Sequence, residues 1–293
     1  MTQPTPAPKR SVSDTGLRGD YSQAALDYSV EQDWSKYTAA EHALYRRLFE
    51  RQSKLVPKYA CPEWIEAIAG LESSQEIPKF SDVSRKLKSK TGWEIVAVPG
   101  LIPDDAFFTH LANRRFPVTV WLRKPEEFDY IVEPDVFHDF FGHVPLLFDQ
   151  VYADHLHEYG KGGLKAMRLD AVKWLAHLYW YTIEFGLMKV DNQVKAYGAG
   201  LLSSGGELAY CVDSPKPRRL PFELERIMRT EYIIDRYQET YFVIDSFEQL
   251  FHETHKPFGP LYERLTGQAP IAPGAVLAGD RVIHKGLGGG ESS

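Results

Sequence analysis

The sequence predicts a mainly α fold with a small β element. Three observations predict it: helical segments with recognisable ends recur along the chain, strand-like stretches are short and few, and strand and helix do not alternate as in a βαβ array. The chain has 293 residues, 43% of them hydrophobic and 13% aromatic, enough for one domain with a sizeable buried core. It carries no internal repeat.

Residues 1–25, including "MTQPTPAPKRSVSD", read as a flexible tail, with prolines and charges where a signal peptide needs an apolar segment. The helix "TAAEHALYRRLFERQ" opens with a capping box from Thr38 to Glu41 and carries apolar Leu44 and Leu48. In "PEWIEAIAGL", Pro62 opens a second helix and Gly70 falls near its end. The strand-like stretches are "WEIVAVPG", "FPVTVWL" and "YFVIDSF", rich in β-branched and aromatic residues. A longer helical pattern runs through "RLDAVKWLAHLYWYTIEFGLMKV". One domain is expected over residues 26–280, and the glycine-rich residues 281–293 read as a second flexible tail.

Charge and cysteine content narrow the function classes. Thirty-four basic against forty acidic side chains give a net charge of -6 with no arginine-lysine block, so no nucleic-acid partner and no membrane surface are expected. No apolar run reaches membrane-spanning length. The two cysteines, Cys61 and Cys211, lie outside any CxxC and indicate neither a disulfide framework nor a thiolate zinc site. A reducing, cytoplasmic setting and a small-molecule substrate are expected.

The stretch "PDVFHDFFGHVP", residues 134–145, sets His138 and His143 five residues apart among aromatics. On a regular helix five residues turn the side chain by about 140°. The two imidazoles can therefore converge only where the helix distorts or ends, and Gly142 and Pro145 supply such a place. Two independently packed histidines are the competing reading. In the long helical pattern, Asp170, Lys173, His177 and Glu184 fall on one stripe. Leu178, Tyr179, Trp180, Ile183, Phe185 and Met188 surround Glu184, a lone carboxylate that needs a partner. A divalent cation shared with two neutral imidazoles would keep it ionised, and two histidines with one carboxylate are the ligand set of non-haem iron(II) oxygenases. A partly exposed glutamate is the alternative. The histidines of "HLHEYG" (His155, His157) and "HETH" (His252, His255) lack an embedded carboxylate and are expected to be solvated. The glycines of "AYGAGLLSSGG" lack the GK[ST] of a phosphate loop.

Taken together and in order, "VEPDVFHDFFGHVPLL", "YWYTIEFGL" and "KAYGAGLLSSGGEL" resemble the tetrahydropterin-dependent aromatic amino acid hydroxylases. The likeness is strongest over residues 93–248 and closest to the short bacterial phenylalanine 4-hydroxylases. It implies that family's largely helical catalytic domain. It also implies that His138, His143 and Glu184 form the catalytic facial triad holding Fe(2+), and that tetrahydropterin is the co-substrate. L-phenylalanine, dioxygen and the reduced pterin would react to give L-tyrosine, as in phenylalanine catabolism.

By the same resemblance Arg123 pairs with the substrate carboxylate, where a guanidinium binds bidentately. Ser203 adds a hydroxyl to that carboxylate, and Glu207 stands behind it. Pro134, Trp180 and His138 wall the aromatic ring, and Ile234 in "EYIIDRY" faces it with an aliphatic side chain. Gly100, Leu101 and Phe107 hold the pterin, Tyr179 lies near iron and pterin, and Glu133 begins the EPD triplet. Ile131, Asp104 and Asp139 depart from the threonine, serine and glutamate usual in animal members, which puts individual polar contacts in question. With neither the animal regulatory domain nor a coiled-coil tail, a monomer is expected. Three rivals remain: the same chemistry on tryptophan or tyrosine, a zinc hydrolase with the same ligands, and a non-catalytic aromatic-metabolite binding module.

Overall fold

The computed structural model describes residues 17–71 and 73–283. Thr38 opens α1 (Ala39–Ser53) with the expected capping box, its hydroxyl accepting from Glu41 N while the Glu41 carboxylate accepts from Thr38 N. The short α2 (Val56–Tyr59), then α3 (Pro62–Leu71) and α4 (Phe80–Lys90) follow. β1 (Glu94–Val98) and β2 (Arg115–Thr119) pair in parallel, with α5 (Asp104–Ala112) between them. This is a local βαβ unit, which the absence of βαβ alternation along the sequence did not reveal. Isolated units, of which residues 218–244 hold a second, leave no alternation running along the chain to recognise.

A π-helix spans His138–His143, followed by α6 (Gln150–Arg168), α7 (Val172–Tyr179) and a second π-helix, Trp180–Glu184. The helix expected to continue to Val190 stops at Glu184. Leu187–Val190 is β3, antiparallel to β4 (Gln193–Ala196), with Asp191 turning the hairpin at φ 52°. After α8 (Ala199–Ser203) and α9 (Glu207–Asp213) come β5 (Arg218–Pro221), α10 (Leu224–Arg229), β6 (Thr240–Ile244), α11 (Phe247–Thr254) and α12 (Gly259–Leu265). The second sheet has the order β4-β3-β6-β5 and is antiparallel only at β3–β4. All three expected strands are present, as β1, β2 and β6, and the mainly α fold with a small β element is as expected.

The ordered chain begins before residue 26. Tyr21–Gln23 is a 3-10 turn, and Tyr21 and Ala24 are buried. At the other end Ile283 N donates to Arg219 O at 2.7 Å. Described residues on both sides of 26–280 thus contact the body of the fold, and the rest of the expected tails, residues 1–16 and 284–293, lies outside the described residues.

The first π-helix is anchored by its back face. Phe141 stacks on Phe137 (4.9 Å, 19°) and meets Trp64 and Phe49 at 4.9 and 5.2 Å. Each buried aromatic ring of this kind stabilises by about 1.5–3 kcal/mol. Turning this face into the core leaves His138 and His143 on the side that looks toward Glu184. No helix among the described residues is long and apolar enough to cross a membrane.

Candidate metal centre

The geometry answers the five-residue spacing. A π-helix closes its hydrogen bonds five residues apart, so side chains at i and i+5 come to lie over one another. His138 and His143 are the two ends of one such segment, their rings 5.2 Å apart and nearly perpendicular at 83°. Gly142 lets α8 pack directly against it, since a Cβ there would lie 2.8 Å from the Ala199 carbonyl oxygen. The second π-helix delivers Glu184 at its last residue, where Phe185 N donates to Trp180 O at 2.8 Å, five residues back. His138 Nε2 lies 3.6 Å and His143 Nε2 3.0 Å from the Glu184 carboxylate.

Donor atoms of these three side chains all lie within 4.8 Å of one another, and they are the only such group of His, Cys, Asp or Glu among the described residues. Burial alone would raise the Glu184 carboxyl. The charges of His143 and His138, with hydrogen bonds from His143 and Tyr179, outweigh it and hold the group at about 2. Burial meanwhile pushes His138 down toward its neutral form. A divalent ion supplies the positive charge that neutral imidazoles lack, so the donor set fits a metal. His138 and Glu184 keep 16% and 14% of their side-chain surface, which leaves the trio reachable from outside.

Neighbouring groups orient the ligands. The Ser203 hydroxyl spends its proton on Ala199 O (2.9 Å) and so accepts from His138 Nδ1–H (2.9 Å), leaving Nε2 free to ligate. The resemblance implies a place for Ser203 at a substrate carboxylate, and in the structure its hydroxyl also fixes the tautomer of His138. Asp139, the residue after the first ligand, is buried, which raises its pKa, and it accepts from Thr119 N at 2.8 Å to tie the π-helix to the end of β2.

Arg123 is buried, and Asp135 grips it with three bonds, from its backbone N (2.9 Å), Nε (2.8 Å) and Nη2 (2.9 Å). The same carboxylate accepts from His138 N at 2.9 Å, capping the segment that carries both histidines. Sequence reasoning quoted Asp135 without giving it a role. An acid three residues before a helical histidine is an N-cap pattern and was the available signal.

The other expected residues divide into two groups. Tyr179 lies against His143 (6.3 Å) and Phe107 (5.7 Å), so Phe107 reaches the metal ligands through one ring. Trp180 stacks on Tyr232 (4.3 Å, 17°) and donates to Gln238 Oε1 at 3.1 Å. Gln238 also went unnoticed, because nothing local marks a partner 58 residues away. Glu207 is buried, which raises its pKa, and it accepts from Gln238 N and Tyr241 OH at 2.8 and 2.6 Å. It therefore supports the Trp180 side of the site. Pro134 is half-buried beside Asp135, while Gly100 is buried and Leu101 exposed at the end of β1.

Ile234 does not behave as a pocket lining. It is 71% exposed, and its carbonyl accepts from Tyr130 OH at 3.1 Å. A turn between α10 and β6 carries it outward, which corrects the expected ring contact. His177, on α7 one turn past Lys173, lies with its Nδ1 2.7 Å from Met228 O. His155, expected to be solvated, is buried with Nδ1 2.9 Å from the Thr254 hydroxyl, whereas His252 and His255 are exposed.

Comparison with known proteins places this geometry. The family model for biopterin-dependent aromatic amino acid hydroxylases matches residues 14–264. A phenylalanine-4-hydroxylase of Chromobacterium violaceum is 53% identical over 266 residues, 90% of each chain. One from Ralstonia nicotianae is 49% identical over 294 residues, 97% of this chain and 93% of its own. The crystal structure of the Chromobacterium violaceum phenylalanine hydroxylase with iron and phenylalanine bound superposes with a TM-score of 0.85 at 51% identity. It covers 92% of this chain and 97% of that one.

Proposed function

The chain belongs to the biopterin-dependent aromatic amino acid hydroxylases, and we propose that it converts L-phenylalanine to L-tyrosine with dioxygen and a reduced pterin at an iron(II) held by His138, His143 and Glu184. The observation that carries this reading is the convergence of two imidazoles and one carboxylate from two π-helices, in a chain about half identical to named phenylalanine hydroxylases. When bound, iron and reduced pterin together activate dioxygen for insertion into an aromatic ring.

The remaining work falls to this chain's side chains. Arg123, held through Nε and Nη2 by Asp135, offers its remaining N–H groups to the amino acid carboxylate, so binding costs little reorganisation. Pro134, Trp180 and His138 offer flat apolar surface to the ring, and Trp180 is kept in place by Tyr232 and Gln238. Ser203 holds the His138 tautomer and stands beside the carboxylate end of the substrate, with Glu207 supporting the Trp180 wall. Gly100, Leu101 and Phe107 receive the pterin, and Tyr179 packs between Phe107 and His143 at the junction of pterin and metal. This apolar shell excludes water from the reacting atoms.

The same reading makes the chain a cytoplasmic monomer. Two free, buried cysteines suit a reducing compartment, and sedimentation equilibrium should give one species near 33.4 kDa. The central test is an anaerobically iron(II)-loaded protein given phenylalanine, tetrahydropterin and oxygen, with tyrosine and oxygen uptake measured together. Pterin-dependent tyrosine formation supports the proposal. Preferential zinc binding with no tyrosine formed would sink it.

A further inference from the structure

The segment Leu17–Ala24 lies across the back of the loop that follows β1. Tyr21, 8% exposed, donates its hydroxyl proton to Leu101 O at 2.8 Å. Gly19 has φ 98°, and a Cβ there would lie 1.9 Å from the Pro99 carbonyl oxygen, so only glycine lets the segment come this close. Facing it, a Cβ on Gly100 would lie 2.9 Å from Tyr21 Oη. The loop is also held from the segment just past β2, where Trp121 Nε1 donates to Pro99 O at 3.0 Å, and the Arg18 guanidinium lies 5.2 Å over the Trp121 ring.

The segment reaches a second wall of the site as well. Arg18 N donates to the Glu133 carboxylate at 3.2 and 3.3 Å, and its guanidinium pairs with Glu127. One short stretch thus bridges the Pro99–Leu101 loop to the Glu133–Asp135 run that leads into His138. Loops with few contacts sample many backbone shapes, and a loop fixed from behind binds its ligand without losing that entropy again.

We propose that Tyr21 is a positioning residue for the pterin site: its bond to Leu101 O, on a segment docked through Gly19, holds the Gly100–Leu101 backbone in the shape that receives the pterin ring. This rests on the assignment of Gly100, Leu101 and Phe107 to the pterin. Tyr21 touches neither substrate nor metal ligands and acts only through the loop.

The test uses full-length, iron(II)-loaded protein under anaerobic conditions, with tetrahydropterin titrated calorimetrically into wild type, Tyr21→Phe, Gly19→Ala and Phe107→Ala. Tyr21→Phe keeps the ring and loses one hydrogen bond, so the pterin Kd should rise about fivefold. The pterin KM should rise in step while the phenylalanine KM and iron content stay put. Gly19→Ala should move the pterin Kd in the same direction and further. Backbone amides of residues 98–103 should exchange faster in both variants. A wild-type pterin Kd in Tyr21→Phe, beside a weakened one in Phe107→Ala, would overturn the positioning role. An equal rise in both KM values would do the same, since general loosening does not discriminate. An unchanged Kd in Phe107→Ala would instead remove the pterin assignment itself.

Discussion

Two stretches of this chain present a pair of histidines in a buried setting, and only one of them converges with a carboxylate into a candidate metal site. In the π-helix His138–His143, both rings turn their Nε2 atoms to the Glu184 carboxylate at 3.6 and 3.0 Å. On the α-helix α6, His155 is as buried as His143, but its partner is the Thr254 hydroxyl, and His157 points to Leu111 O at 3.4 Å. Burial and histidine density are thus similar. The difference is a helical winding that aligns residues five apart and a carboxylate delivered from elsewhere in the chain. A buried histidine becomes a ligand candidate through convergence, not through burial.

The sharpest way to break this contrast is to remove the convergence. Replacing His138, His143 or Glu184 with alanine should lower hydroxylation by at least about a thousandfold and strip iron, because three protein donors leave no spare. Circular dichroism should remain helical. Full iron occupancy by metal analysis in Glu184→Ala would show that the three side chains are not the metal site.

His155 should answer to pH rather than to metal. Burial lowers its pKa from 6.5 to about 4. Above 6.5 it is neutral whether folded or unfolded, and its contribution to stability is intact. As pH falls from 6.5 toward 4, the unfolded chain takes up the proton first, and stability is lost on the order of 3 kcal/mol, with no further loss below 4. Urea unfolding of wild type and His155→Gln across pH 7 to 4 should show this slope in wild type and a flatter one in the variant, with iron content equal at pH 7. Parallel curves would mean that His155 is not buried in its neutral form.

A smaller effect is expected at the group that aims a ligand. Ser203→Ala removes the acceptor from His138 Nδ1–H and should weaken iron binding about tenfold. Competition against a chelator measures this, and unaltered affinity would confine Ser203 to the substrate side. The smallest effect belongs to Ile234. At 71% exposure, Ile234→Asp should leave the tyrosine-to-phenylalanine ratio of kcat/KM within about twofold of wild type. A larger shift would mean that this turn folds inward when substrate binds.

How much of this was readable beforehand depended on how locally it was encoded. The spacing of His138 and His143 with Gly142 between them allowed a distorted helix, and the apolar surroundings of Glu184 allowed a carboxylate sharing a cation, but two separately packed histidines and a partly exposed glutamate fitted equally until the three motifs were read together as a family resemblance. The capping box at Thr38 is four residues long and was plain. What failed was either long-range or ambiguous. The run Leu187–Val190 continues a helical apolar pattern and gives its strand away only through the Asp191–Asn192 turn behind it. Ser203 meets His138 across 65 residues and Tyr21 meets Leu101 across 80, separations that no periodicity records. The one tyrosine among charges and glycines near the N-terminus looked like tail because its packing surface lies in another part of the chain.

Asp135 gives the site a property that neither of its neighbours has alone. One carboxylate holds both the guanidinium proposed to receive the amino acid and the backbone of the first metal ligand. A substrate carboxylate drawing on Arg123, as proposed, would therefore load the same Asp135 carboxylate that holds His138 N. Thermodynamic linkage makes such a coupling symmetric: whatever factor bound iron lends to phenylalanine affinity, phenylalanine returns to iron affinity. If the two roles are as proposed, iron affinity measured with and without phenylalanine should differ by the same factor as phenylalanine affinity measured with and without iron.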